Sequence, residues 1–283
     1  MSTTLLIVYC ALILTASLAG GWVPLLIRLT HARMELAVSL VAGFMLGVGV
    51  LHMLPHGLRA VGSVDAVMLW FLIGFLTMFF IERFFCFHHH DVPKGSETVH
   101  SPHEKGGHDH MLTWTGAAIG LTLHSLVAGI ALAASMRGEA SSGVHNAPAG
   151  FAVFLVIVLH KPFDSLTIGT LMAVGQATPL QRHLVNGLFA LAVPLGAILF
   201  QVGVDTASGA PHVATGCALA FSAGTFLCIS TSDLLPELQF HTHDRVKLSV
   251  MLLLGLALAW AVALVEGCHH EEGRVETKHQ HEG

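Results

Sequence analysis

Residues 149–175 read AGFAVFLVIVLHKPFDSLTIGTLMAVG. A bilayer crossing takes about 20 apolar residues, and this run is long enough, yet it holds His160, Lys161 and Asp164 at its middle. Ionisable groups at that depth cost roughly 2.5–3.5 kcal/mol each on insertion scales and therefore need partners. His160 and Asp164 stand four apart, so they share one helix face and their imidazole and carboxylate can converge on one cation. Between them Pro162 removes an amide donor and loosens the helix. Broken helices at the midplane are where transporters hold ions.

Seven further apolar runs surround this one, at roughly 4–29, 36–60, 65–85, 111–136, 184–204, 214–239 and 246–266. The composition agrees: 53% of residues are hydrophobic, 11% are charged, and the mean hydropathy is +0.70. So little charge cannot cover a water-soluble surface, where about 25% is usual, so lipid is the expected solvent. A net charge of −5 with 13 Lys and Arg leaves no basic face for nucleic acid. The reading is an all-α, polytopic bundle of eight transmembrane helices, one transporter domain over 1–283. The first run lacks a basic leader and continues past residue 20, so it is read as a span rather than a signal peptide. Five scattered cysteines with no CxxC pair argue against a disulfide framework.

Loop charge sets orientation. With the N-terminus outside, the inner connections hold Arg28, Arg33, Arg83, Lys94, Lys105, Arg182, Arg245 and Lys247. The outer side then holds only Arg59, Arg137, Arg274 and Lys278. Both termini are therefore expected outside, in a plasma or bacterial inner membrane. Residues 86–110 would face the cytosol. They carry His88, His89, His90, His100, His103, His108 and His110 among Pro, Gly and Ser, and are read as a disordered tract in which His88, His89 and His90 could hold metal briefly. The tail, 268–283, is a weaker second tract.

The 21 histidines outnumber all Lys and Arg together, and imidazole is the commonest ligand for borderline metals. His124 and Ser125 sit mid-span in the run before 149–175. Two consecutive spans are antiparallel, so His124, His160 and Asp164 can form one three-ligand site. Ser125 is read first as a donor between helices. A lysine beside the site, Lys161, lowers cation affinity, supplies the charge of a second metal and can neutralise Asp164. Two further i, i+4 pairs, His52 with His56 and Asp233 with Glu237, suggest entry past the first and release past the second. The runs His52-Met53-Leu54-Pro55-His56 and Asp233-Leu234-Leu235-Pro236-Glu237 align on Leu-Pro in spans of opposite direction, as inverted repeats do.

These residues resemble the ZIP family of zinc and iron transporters across all eight spans. Leu51-His52-Met53-Leu54-Pro55-His56 is similar to the His-Leu-x-Pro-Glu run of ZIP span 2. His124-Ser125-Leu126-Val127-Ala128-Gly129-Ile130-Ala131-Leu132 is similar to His-Ser-x-x-Glu-Gly-x-Ala-Leu, and His160-Lys161 matches the start of span 5 in the same subfamily. The resemblance implies a 3+2+3 bundle, a homodimer, and uptake of a divalent ion into the cytosol through His124, His160 and Asp164. Zinc is the ion expected; Fe2+, Mn2+, Co2+ and Cd2+ share such ligands. Ala128 departs from the family acid, Lys161 from the acid that bridges two metals, and His56 from the span 2 acid, so a single metal is expected. The other readings are a membrane metalloenzyme (histidine-box oxygenase or zinc hydrolase), which lacks HExxH and clustered boxes here, and a non-transporting metal sensor.

Overall fold

The computed structural model describes residues 2–21, 31–85, 107–142, 147–206, 210–234 and 245–267. Every regular element among them is helical, and eight helices are long and apolar enough to cross a membrane. Span 1 is Thr3–Gly20, span 2 Arg33–Val61, span 3 Val64–Phe85 and span 4 Trp114–Ala140. Span 5 is Phe151–Val174, span 6 Pro179–Thr206, span 7 Pro211–Ser232 and span 8 Arg245–Val265. The helix of span 4 runs from Gly107 to Ser142, so the end of the tract expected to be a loop, 107–110, is helical. The histidines of 88–90 and the tail 268–283 lie outside the described residues, as does Glu237.

Spans 2, 4, 5 and 7 are the inner helices, with 50–67% of each buried, against 17–44% for the other four. Each inner helix has an outer partner: span 8 on span 2, span 3 on span 7, span 6 on span 4, and span 1 on span 5. Glycine sets three of these contacts reciprocally. A Cβ on Gly43 would strike the Leu252 carbonyl, and one on Gly255 the Leu40 carbonyl. Gly224 meets Phe71 and Gly74 meets Phe221 in the same way; so do Gly129 with Val193 and Gly196 with Leu126. In lipid such close backbone approach replaces hydrophobic collapse as the source of packing energy.

The contacts also expose an internal symmetry. Moving 181 residues along the chain carries Gly43 to Gly224, Gly74 to Gly255, Leu40 to Phe221 and Phe71 to Leu252, so both halves make the same contacts. The same shift carries His52 to Asp233 and Pro55 to Pro236. Both prolines follow a π-helical turn, Val48–Met53 in span 2 and Ser230–Leu234 in span 7. Proline has no amide hydrogen and its ring collides with the carbonyl four residues back, so the preceding turn widens. In span 2 the Leu54 amide accordingly reaches back five residues, to the Gly49 carbonyl. Spans 1–3 and 6–8 are thus repeats of opposite direction, with spans 4 and 5 between them.

Candidate metal centre

Spans 4 and 5 are themselves related, by a shift of 36. Leu126 and Pro162 are each approached by a glycine, Gly196 and Gly20. Gly129 packs on Val193 where Ser165 bonds Ser17 at 2.9 Å. Under this shift His124 becomes His160 and Ser125 becomes Lys161. The two histidines are symmetry mates, and they meet: Nε2 to Nε2 is 3.3 Å. Asp164 closes the triangle, with Oδ2 3.9 Å from His124 Nε2 and 3.8 Å from His160 Nε2. Its own mate is Ala128, so the site has one carboxylate rather than two.

The three ligand atoms lie within 4.8 Å of one another, the one such group of three or more among the described residues. A point equidistant from them is about 2.1 Å from each, the length of zinc–nitrogen and zinc–oxygen bonds. The faces of the triangle remain for water or a passing donor. The donor set therefore fits a divalent cation as cargo. The side chains are almost enclosed: 2% of His124, 7% of His160 and 16% of Asp164 are exposed. Toward the connection of spans 4 and 5 the site is sealed by Ala128, Leu132, Val156 and Ile157; on the other side Ile168, Met172 and Phe189 form a second apolar cluster.

His160 is oriented by its own helix. Its Nδ1 lies 2.8 Å from the Val156 carbonyl. A carbonyl only accepts, so the proton sits on Nδ1 and the Nε2 lone pair points into the triangle. Lys161 is fully buried and donates to Asp164 Oδ2 at 2.7 Å and to Ser125 Oγ at 2.5 Å, with Nζ 4.5 Å from the Phe189 ring centre. The pairing of Lys161 with Asp164, which the sequence left as an alternative role for that carboxylate, is present. Ser125 does not act as the donor between helices that was expected: its hydroxyl donates within its own helix, to the Leu121 carbonyl at 2.6 Å, and accepts across it from Lys161.

The flanking pairs fare differently. His52 is buried and its ring lies 4.6 Å from that of His56, but its Nε2 faces Glu139 Oε1 at 3.0 Å. Glu139 was missed because the apolar run of span 4 was ended at 136. Its position fifteen residues after His124, on the same face, is the signal that would have found it. Asp233 sits in the π-helical turn of span 7, the symmetry mate of His52.

The family model for the ZIP zinc transporters matches residues 3–119 and 115–263. This chain belongs to the ZIP family. Among similar proteins, zinc transporter ZIP9 of Micropogonias undulatus is 25% identical over 88% of this chain and 90% of its own length. Zinc transporter ZIP9-B of Xenopus laevis is 26% identical over 88% and 89%. Zinc transporter 3 of Arabidopsis thaliana is 29% identical over 50% of this chain and 41% of its own. As a ZIP protein with eight apolar helices, the chain is an integral, multi-pass membrane protein of a divalent-metal transporter family, and an enzymatic role is set aside.

Proposed function

We propose that this ZIP protein passes zinc across the membrane through a single central site formed by His124, His160 and Asp164. The observation that supports it is the triangle of donor atoms at zinc-ligand spacing between two inner helices. Two neutral imidazoles and one carboxylate already neutralised by Lys161 make a weak, reversible site, which suits an ion that must leave again. Binding requires the bare Nε2 of both histidines, so a proton shared between them is displaced by the arriving ion. Lys161 occupies the position from which a second acid would bind a second metal, so one ion is held at a time. Fe2+, Mn2+, Co2+ and Cd2+ fit the same donors and are competitors.

The route enters past His52 and His56 and leaves past Asp233 and Glu237, and the histidines of 86–110, including His88, His89 and His90, receive the ion on the cytosolic side. Both termini then lie outside, the whole chain forms one transporter domain in lipid, and two copies pair. Uptake of radioactive zinc into proteoliposomes tests the reading. His160→Ala and Asp164→Ala should each reduce the initial rate by at least about tenfold, the scale on which lost donors act. Uptake no faster than into empty liposomes by the unaltered chain would instead favour a sensor, and unchanged uptake by both variants would remove this site.

A further inference from the structure

Glu139 is a buried acid that the central site does not use. Span 4 carries the face of His124 through Ala128, Leu132 and Ser135 to Glu139, ~22 Å along the helix. There Oε1 accepts from Ser135 Oγ at 2.6 Å and lies 3.0 Å from His52 Nε2, while Oε2 accepts from the Gly150 amide at 2.8 Å. Gly150 caps span 5 with a φ of 76°. Spans 2, 4 and 5 thus meet on one carboxylate, at the end of the bundle away from residues 86–110. Between it and the central triangle lie fully buried apolar groups, Ala128, Leu132, Val153 and Val156.

Symmetry shows that packing alone does not demand this acid. The shift of 36 that relates spans 4 and 5 carries Glu139 to Gly175, and the shift of 181 carries His52 to Asp233. The pairing of imidazole with carboxylate on these positions therefore exists at one end of the repeat only. Glu139 is only 8% exposed, and a carboxylate withdrawn from water is costly unless it is paired.

We propose that Glu139, His52 and His56 form a second divalent-cation site, which holds the ion at the sealed end before it passes to the central triangle. The 3.0 Å between His52 Nε2 and Glu139 Oε1 is close to the ~3.3 Å edge between two donors on a tetrahedral zinc with bonds of about 2.0–2.1 Å. A cation can thus take the place of the shared proton with little movement of either side chain. His56, one turn on and half-buried, has its ring 4.6 Å from that of His52; its nitrogens do not yet converge with the other two donors, so it must turn toward them to become the third. This role in the route rests on the transport reading above, but the site as a binding site does not.

The test therefore begins with binding, on the purified full chain. In His52→Cys the thiolate should produce a cadmium–thiolate charge-transfer band beyond that of the unaltered chain, since soft thiolate selects cadmium. Adding Glu139→Gln should weaken the cadmium affinity read from that band by at least about tenfold. In proteoliposomes, His52→Asn keeps a hydrogen bond to Glu139 but loses the imidazole ligand; the KM for zinc should rise by about tenfold while kcat changes little. No new band in His52→Cys, or a band indifferent to Glu139→Gln, would overturn the site and leave Glu139 as a clasp between helices. An unchanged KM in His52→Asn would overturn its place on the route. If the unaltered chain fails to transport, or His160→Ala transports normally, it is the central reading that fails, and the cadmium band still decides this one.

Discussion

At the scale of single residues, the informative comparison is between positions that symmetry makes equivalent. His124 and His160 kept the same side chain; Asp164 faces Ala128, and Lys161 faces Ser125. The result is a site with one carboxylate and one ammonium in place of two carboxylates. A unit charge ~5 Å from a doubly charged ion costs several kcal/mol even at an effective dielectric of about 20, and each 1.4 kcal/mol is about tenfold in affinity. Lys161→Met should therefore tighten zinc binding by at least about tenfold and slow its release; isothermal titration on the purified chain reads the first, and single-turnover efflux the second. Ala128→Glu adds a carboxylate on the face of His124 and should tighten zinc binding without slowing arrival. An affinity unmoved by Ala128→Glu would mean that this face does not look at the ion. The trio was legible in the sequence because helical spacing and depth are enough to bring His160 and Asp164 together with a histidine on the next span. The bond from Lys161 to Ser125 was not, because it depends on distance between helices, which spacing along the chain does not supply.

At the scale of elements, the spans were legible from apolar length alone. The loosening expected at Pro162 is not found, since span 5 runs through it as one α-helix, Phe151–Val174; the π-helical turn lies instead before Pro55, where the sequence reading did not place one. The reach of the repeat was not legible either. Beyond Leu-Pro and the polar residues beside it, the matches are small or apolar side chains common to any span, such as Ala42 with Ala223 and Leu46 with Leu227, and glycines whose contacts are made by backbone. Those glycines can be tested directly. Gly224→Ala places a methyl against the Phe71 carbonyl, and Gly74→Ala does the same at Phe221. Each should lower stability by about 1–3 kcal/mol, as overpacking does, seen as a lower melting temperature in detergent. Gly169→Ala is the matched control: nothing lies within 4 Å of its added Cβ. It should leave the melting temperature unchanged or raise it slightly, since alanine is the better helix former by up to about 1 kcal/mol. Equal losses at all three positions would mean that the close approaches do not carry the packing.

At the scale of the whole molecule, the same repeat that builds the bundle leaves its two ends chemically unlike: an imidazole with a carboxylate at one, an acid in a π-helical turn at the other. Direction of transport then depends on which end faces out. An even number of spans puts both ends of the bundle on one side; in the proposed orientation, drawn from the excess of Lys and Arg in the connections on the other side, residues 86–110 face the cytosol. The connection between spans 4 and 5, beside Glu139 and His52, is then external. Two single substitutions decide this in intact cells treated with a maleimide that does not cross membranes. Asn146→Cys, in that connection, should be labelled at once; His103→Cys, in the His-rich tract, should be labelled only after permeabilisation. Both are made in a chain whose five native cysteines are replaced. The opposite pattern would turn the route around, making the end with His52 and Glu139 the cytosolic exit and the acids of span 7 the entrance, while the central triangle would stand as described.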